Sequence, residues 1–210
     1  ADGCCYTIVQ QLRAAAFGLP LMPIRSIRGT SFEELHPEYK RMTCPYTGEE
    51  LLLVPAIKPD VALIHAQYGD SHGNLRIEGP PVADLLFARA STKVIATVEC
   101  IVSNQELQKL GGVNIPYFYV AALAEVPFGA HPTACYPMYA YDRPHTAQYY
   151  AAASAGAEAF KQQYLDPFVF ACHTQDEYLK AVGGDVTRSR LASWNEGVDA
   201  WMKLYQEVEA

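Results

Sequence analysis

The chain has 210 residues, half of them hydrophobic and 19% charged, so it reads as a globular unit rather than a disordered or fibrous one. Sixteen Lys and Arg against 23 Asp and Glu leave a net charge of −7, with no clustered basic stripe, which removes the electrostatic footprint of a nucleic-acid binder. Its apolar runs fall short of the ~20 residues that a membrane-spanning helix needs, and six cysteines without a CxxC pair read as reduced thiols of a cytoplasmic protein.

The first residues are ADGCC, with no Met, as in a chain entered part-way. Residues 6–17 (YTIVQQLRAAAF) favour a helix, with Ile8, Val9, Leu12 and Ala16 on one stripe. Gly18 and Pro20 stop it, and residues 19–24 continue as extended chain. From 28 to 50 the sequence is polar and rich in Gly, Pro and Thr. That composition predicts a long irregular surface excursion with a short helix at 32–35. Three apolar runs follow at 60–66 (DVALIHA), 93–98 (KVIATV) and 119–126 (YVAALAEV). Lacking strict alternation, they are expected to be strands covered on both faces. The helical pattern VADLLFARAS at 82–91 lies between the first two, so these strands should pair in parallel. Ser103 and Glu106 have capping-box spacing over a helical turn at 103–110, which Gly111 and Gly112 end. The remainder is read as peripheral helix at 146–165 (with Gly156 inside), 174–182 (opened by Thr174) and 193–208. In the last, Trp194, Val198, Trp201, Leu204 and Val208 recur at helical spacing and predict a packing face.

The familiar catalytic signatures are absent: no GxSxG elbow, no GKS/T loop, no HExxH and no GxGxxG after a strand. His65 and His72 lie on either side of Asp70 in HAQYGDSH, but the loop offers too few ligands for a metal, and none is expected. Ligands of open α/β sheets bind beyond the carboxyl ends of the strands. Two segments fall there, Gln67-Tyr68-Gly69-Asp70 and Pro127-Phe128-Gly129-Ala130-His131-Pro132. Gly129 permits close backbone approach and His131 offers an imidazole, so each segment reads as a site or as a tight turn. Glu99 and Glu125 lie in or just past apolar strands. A carboxylate buried there must be paired, so either is a catalytic acid or a structural partner. Cys5 stands at the start of the first helix, where free N–H groups favour a thiolate, and is read as a reactive or an inert helix-start cysteine.

Five segments together resemble the α (A) subunit of family I CoA-transferases, particularly the glutaconate CoA-transferase branch. They are RAAAFGLPLMPIRS at 13–26, PDVALIHAQYGDSHGNLRIEG at 59–79, STKVIATVECIV at 91–102, IPYFYVAALAEVPFGAHPTACY at 115–136 and YAYDRPH at 139–145. The resemblance implies an α/β fold, a mainly parallel sheet flanked by helices, like ribose-5-phosphate isomerase. Family α subunits are longer at their start, so residues 1–210 are expected to be a single α-subunit domain that is N-terminally incomplete. The resemblance also implies an enzyme whose nucleophilic glutamate lies on a partner β subunit. That glutamate would exchange acyl groups and coenzyme A through anhydride and glutamyl-CoA intermediates. Coenzyme A is then substrate and product, with no permanently bound cofactor, and the partners are a β subunit, an acyl-CoA and a small carboxylate in a hetero-oligomer. On this chain it points to Gln67 as an amide donor, Gly129 as a backbone contact, and His131 and Cys5 as lining or supporting the cleft.

Two departures bear on the reaction. The family reads TVEEIV where Cys100 follows Glu99 here, which removes one carboxylate. GDSHGN and the region before RAAA also resemble a ring-opening C–C hydrolase branch acting on cyclic CoA thioesters. That branch carries an acid where this chain has Cys5, which argues against hydrolysis by that route. A hydrolase or decarboxylase on the same fold, and a non-catalytic structural subunit, are the alternatives.

Overall fold

A computed structural model describes residues 3–80 and 82–206. The first helix, α1 (Cys5–Ala16), ends where predicted, and Gly18 turns out of it at φ 71°. Of the apolar stripe, Leu12 is buried as expected but Ile8 is exposed, and the buried face is completed by polar or small residues: Thr7, Gln10, Gln11 and Ala14 face inward. Position spacing of three and four puts those four on one side, and Gln11 is buried because it is satisfied there. Its side-chain amide donates to the Pro55 carbonyl at 3.0 Å, and its backbone carbonyl accepts from Ile57 N–H at 3.2 Å.

The predicted excursion is partly a sheet. Strands β1 (Leu21–Ile24), β2 (Lys40–Thr43) and β3 (Glu50–Pro55) pair antiparallel in the order β1-β3-β2, with helix α2 (Ser31–Glu34) inserted. Ile24, Leu52 and Val54 form its small core, packed with Met22, Ile27 and Tyr39. Arg41 on β2 bridges Glu33 and Glu50 at 2.7 and 2.6 Å. Nothing local marks KRMT as a strand; it becomes one by hydrogen bonding to β3.

The main sheet contains β4 (Val61–Gly69), β5 (Leu75–Arg76), β6 (Lys93–Ile101) and β7 (Val120–Glu125), ordered β5-β4-β6-β7. As expected, β4, β6 and β7 run parallel, with α3 (Asp84–Ala90) in the first crossover; the short β5 is antiparallel to β4. The α/β class with a mainly parallel sheet therefore stands. Helix α4 (Asn104–Lys109) carries the predicted reciprocal Ser103–Glu106 capping box. One face of the sheet, carrying Ala62, Ile64, Ala66, Val94, Ala96 and Val98, is packed against Leu85 and Ala88 of α3 and against Ile77 and Ile115.

The expectation that both faces are covered fails for the other face. Leu63 is 80% exposed, Val61 45% and Ile95 44%. Continuous apolar sequence records only that both faces disfavour water. The described residues of this chain cover the second face only toward the carboxyl ends of the strands.

That cover comes from the loop after β7, whose Phe128 and Tyr139 also belong to the core of the C-terminal lobe. The lobe contains α5 (Arg143–Ser154), α6 (Ala157–Phe160), a wide-turned helical stretch over Lys161–Phe170, α7 (Gln175–Ala181), α8 (Gly184–Ala192) and α9 (Val198–Gln206). The long helices read at 146–165 and 193–208 are each divided: Gly156 sits at φ 107° and Gly197 at φ 134°, backbone that only glycine adopts readily. Val208 lies outside the described residues. Phe128, Tyr139, Leu191 and Leu204 belong to the lobe's core, and Trp194 packs against it. Among the described residues, no helix is long and apolar enough to cross a membrane.

Candidate active site

Crossover geometry brings the carboxyl ends of β4 and β6 beneath the loop that leaves β7. Glu99, near the end of β6, is the meeting point. Its carboxylate accepts from His65 Nε2 at 2.7 Å, Tyr139 OH at 2.6 Å, Phe128 N–H at 2.6 Å and Gly129 N–H at 3.2 Å. His65 is fixed at its other nitrogen by Thr97 Oγ1 at 2.8 Å. Burial pushes the Glu99 carboxyl up, but the bonds from His65, Tyr139 and Phe128 outweigh it and hold the group below its ordinary value. The Tyr139 phenol moves the opposite way: burial and the adjacent carboxylate keep its proton on.

The loop after β7 is strained into shape. Phe128 adopts φ 64°, rare for a residue with a side chain, and its ring is buried against His131 and Tyr139, centroids 4.6 Å away. At Gly129 a Cβ would lie 2.7 Å from His65 Cε1 and 2.7 Å from the Val126 carbonyl oxygen. Glycine here serves close packing between the loop and β4.

The four candidates from sequence separate into different places. Gln67 is buried on β4. Its amide nitrogen donates to the Tyr136 carbonyl, and its oxygen accepts from Glu78 N–H at 3.0 Å. Gly129 is exposed, with its N–H on Glu99. His131 is fully buried behind the loop, between Tyr178 OH at 2.7 Å and Asp142 at 3.0 Å. It supports the cleft wall from within the lobe. Cys5 is exposed at the start of α1, a helix packed on α3, β1 and β3, and shares no hydrogen bond with the other three.

Asp70 and Glu125 have structural partners. Asp70 accepts from the N–H groups of His72 and Asn74 at 2.9 and 3.0 Å, and from the side chains of Asn74 and Asn104. GDSHGN is thus a hydrogen-bonded turn at the end of β4, with Gly73 at φ 97°. Glu125 accepts from Ile101 N–H at 2.6 Å.

Sequence reading missed Asp142, the N-cap of α5. It accepts from His145 N–H at 3.2 Å, His131 at 3.0 Å and Arg190 at 3.1 Å. Burial pushes its carboxyl up, but these donors draw it down to about 2. Asp followed by Arg-Pro was the available signal, an N-cap before an early proline. Tyr139 had no such signal.

A cavity of about 500 Å³ opens beside this cluster, lined by Glu99, Phe128, Met138, Tyr139, Arg188 and Ser189, among others. His65, Glu99 and Cys135 place donor atoms within 4.8 Å of one another. Both oxygens of Glu99 already take hydrogen bonds, and burial pushes the Cys135 thiol up to about 12, so a cation would have to displace donors and ionise a thiol. The cluster is built as a hydrogen-bonded carboxylate.

Comparison with known proteins identifies relatives over most of the chain. The family model described as coenzyme A transferase matches residues 6–125. The A subunit of glutaconate CoA-transferase from Acidaminococcus fermentans is 32% identical over 193 residues, covering 84% of this chain and 60% of that protein. The crystal structure of glutaconate coenzyme A-transferase from the same organism superposes with a TM-score of 0.81 at 32% identity, over 90% of this chain and 64% of that one. The cholesterol ring-cleaving hydrolase IpdA subunit of Mycobacterium tuberculosis is 36% identical over 183 residues, 81% of this chain and 61% of that protein. The crystal structure of a variant of the decarboxylase AibA/AibB gives a TM-score of 0.65 at 38% identity, over 75% of this chain and 58% of that one. The chain therefore spans about three fifths of the length of these curated relatives.

Proposed function

The chain belongs to the coenzyme A transferase family, on the A-type side of it, and from that premise we propose that it forms the α half of a heteromeric CoA-transferase. The nucleophile is a glutamate of the β subunit. It attacks the acyl-CoA carbonyl and expels the CoA thiolate, leaving an acyl-glutamyl anhydride. The thiolate returns to the glutamyl carbonyl and releases the acyl group as a carboxylate. The glutamyl-CoA thioester then passes CoA to a second carboxylate by the same two steps reversed. Covalent catalysis divides a difficult exchange into easier ones, and the anhydride demands a cleft that excludes water.

This chain's part is the wall of that cleft. Gln67 has two amide N–H groups; one is bound to the Tyr136 carbonyl and the other is assigned to the developing oxyanion. Gly129 brings backbone to the cleft edge, His131 braces the loop from behind, and Cys5 is kept as a supporting position near the start of α1. The observation that carries the reading is Glu99 gathering the Phe128 and Gly129 amides at the carboxyl ends of parallel strands, where ligands of such sheets bind. Coenzyme A enters as substrate, and the domain over 1–210 works with a β subunit.

Similarity to AibA/AibB and to the IpdA subunit supports a second reading, a hydrolase or decarboxylase on the same fold. The partner residue facing this chain separates them: a glutamate favours transfer. The test purifies the chain with its partner subunit, incubates the complex with an acyl-CoA, reduces with borohydride and maps the partner by mass spectrometry. A CoA-dependent modification of one glutamate, together with reduced kcat/KM in Gln67→Ala, is expected. An active complex without such an adduct overturns the transferase reading.

A further inference from the structure

The recess between α9 and the segment that leads into α5 is not part of the cleft around Glu99. It has a volume of about 210 Å³ and is lined by Tyr136, Tyr141, Arg143, Trp201, Leu204 and Tyr205, among others. That is the space of about seven waters, suited to one ring system rather than a whole drug-sized molecule. Its aromatic residues are only half covered, which is unlike a packing face. Trp201 and Tyr205 lie nearly parallel, centroids 5.5 Å apart and planes 24° apart, while Tyr136 meets Trp194 edge-on at 4.6 Å.

Arg143 supplies the charge. Its guanidinium lies 4.1 Å from the Tyr205 ring centre. Its Nε is buried without a hydrogen-bond partner, and it forms no ion pair among the described residues. In a chain of net charge −7, a guanidinium without an ion-pair partner among the described residues, set beside stacking rings, concentrates anions locally. The recess also adjoins the candidate cleft through one residue: the Tyr136 side chain walls the recess, and the Tyr136 carbonyl accepts the Gln67 amide.

We propose that this recess binds a purine nucleotide, the phosphorylated adenosine end of a coenzyme A thioester. The base would stack on the exposed rings, as bases do on aromatic side chains generally, and Arg143 would take phosphate through its planar fork. The identification of the nucleotide as part of coenzyme A rests on the transferase-family reading; the chemistry of the recess asks only for a flat ring joined to an anion.

Both tryptophans of the chain, Trp194 and Trp201, belong to this cluster, so intrinsic fluorescence reports on it directly. Adenosine 3′,5′-bisphosphate titrated into the protein with its partner subunit should quench that fluorescence saturably. Loss of a charge-assisted contact predicts about tenfold weaker binding in Arg143→Met. Arg143→Lys, which keeps the charge but not the fork, should retain part of the affinity and guards against misfolding of the first variant. Circular dichroism confirms that each variant melts as wild type does. No saturable quench up to millimolar nucleotide, an equal quench in Arg143→Met, or a quench reproduced by inorganic phosphate alone would overturn the proposal. In turnover by the complex, Arg143→Met should raise KM for the CoA thioester about tenfold with a smaller change in kcat. An unchanged KM rejects the recess and leaves the transferase reading intact. Nucleotide binding in a complex that transfers no CoA supports the recess and rejects the transferase reading.

Discussion

Glu99→Ala isolates the hydrogen-bonded carboxylate around which the candidate cleft is built. The substitution removes the acceptor for four donors. Gly129 is exposed and His65 partly so, and water can replace the carboxylate for both. Phe128 N–H and the Tyr139 O–H are buried donors that would lose their acceptor, although the Tyr139 oxygen would still accept from Ala130 N–H. A buried orphaned donor costs about 1–3 kcal/mol, so the two together cost about 2–6 kcal/mol. That is a large share of the ~5–15 kcal/mol by which a domain is normally stable. Glu99→Gln keeps one acceptor oxygen and should cost less than the alanine variant. The measurement is urea unfolding at neutral pH, followed by tryptophan fluorescence and far-UV circular dichroism and compared at constant m. Tyr139→Phe combined with Glu99→Ala should be clearly non-additive, because the two share a bond. A loss below about 1 kcal/mol in Glu99→Ala, or additivity with Tyr139→Phe, would show that the loop is held by something other than this carboxylate.

Asp142, drawn down to about 2 in the fold, contributes stability that is fully present above the ordinary carboxylate range and lost as pH falls through its folded value. Thermal midpoints measured from pH 5 to pH 2 should therefore converge between wild type and Asp142→Asn; a constant gap across that range contradicts the assignment. At Gly129 the added methyl of alanine meets a backbone carbonyl at 2.7 Å, so Gly129→Ala should cost about 1–3 kcal/mol as an overpacked site, and an unchanged melting temperature would refute the close approach. A thiol reagent should label exposed Cys5 in the native protein but reach Cys135, whose thiol burial pushes up to about 12, only after unfolding; peptide mapping reads both. Leu63→Ala should change stability of the isolated chain by no more than about 0.5 kcal/mol, since that side chain is 80% exposed, whereas a loss of several kcal/mol would restore the reading of a covered strand.

What the amino-acid sequence determines by itself is what near neighbours decide. Apolar runs at β4, β6 and β7 and the helical pattern between the first two point to parallel strands, because a crossover helix packed back on the sheet returns the chain to the end from which the first strand started. Ser103 with Glu106 and Thr174 with Glu177 close their capping boxes within one turn. Gly156 and Gly197 break helices where composition alone would carry them on, and their significance is visible only as backbone angles. Motif order at 13–26, 59–79, 91–102, 115–136 and 139–145 was enough for the family, although the GDSHGN within it holds a turn together through Asp70.

Tertiary structure decided the rest, and the reason is separation along the chain. Glu99 reads as an ambiguous acid until it meets His65, 34 residues before it, and Tyr139, 40 residues after it. Its hydrogen bonds come from elements that meet only after the crossovers are made. Gln67 and His131 are buried because their partners, Tyr136, Glu78, Tyr178 and Asp142, arrive from other segments. Strand β2 exists because β3 lies beside it. Leu63 carries the same apolar signature as Ile64, yet one faces solvent and the other the core. Sequence records a side chain's preference for burial, and the packing of distant elements determines whether it is met.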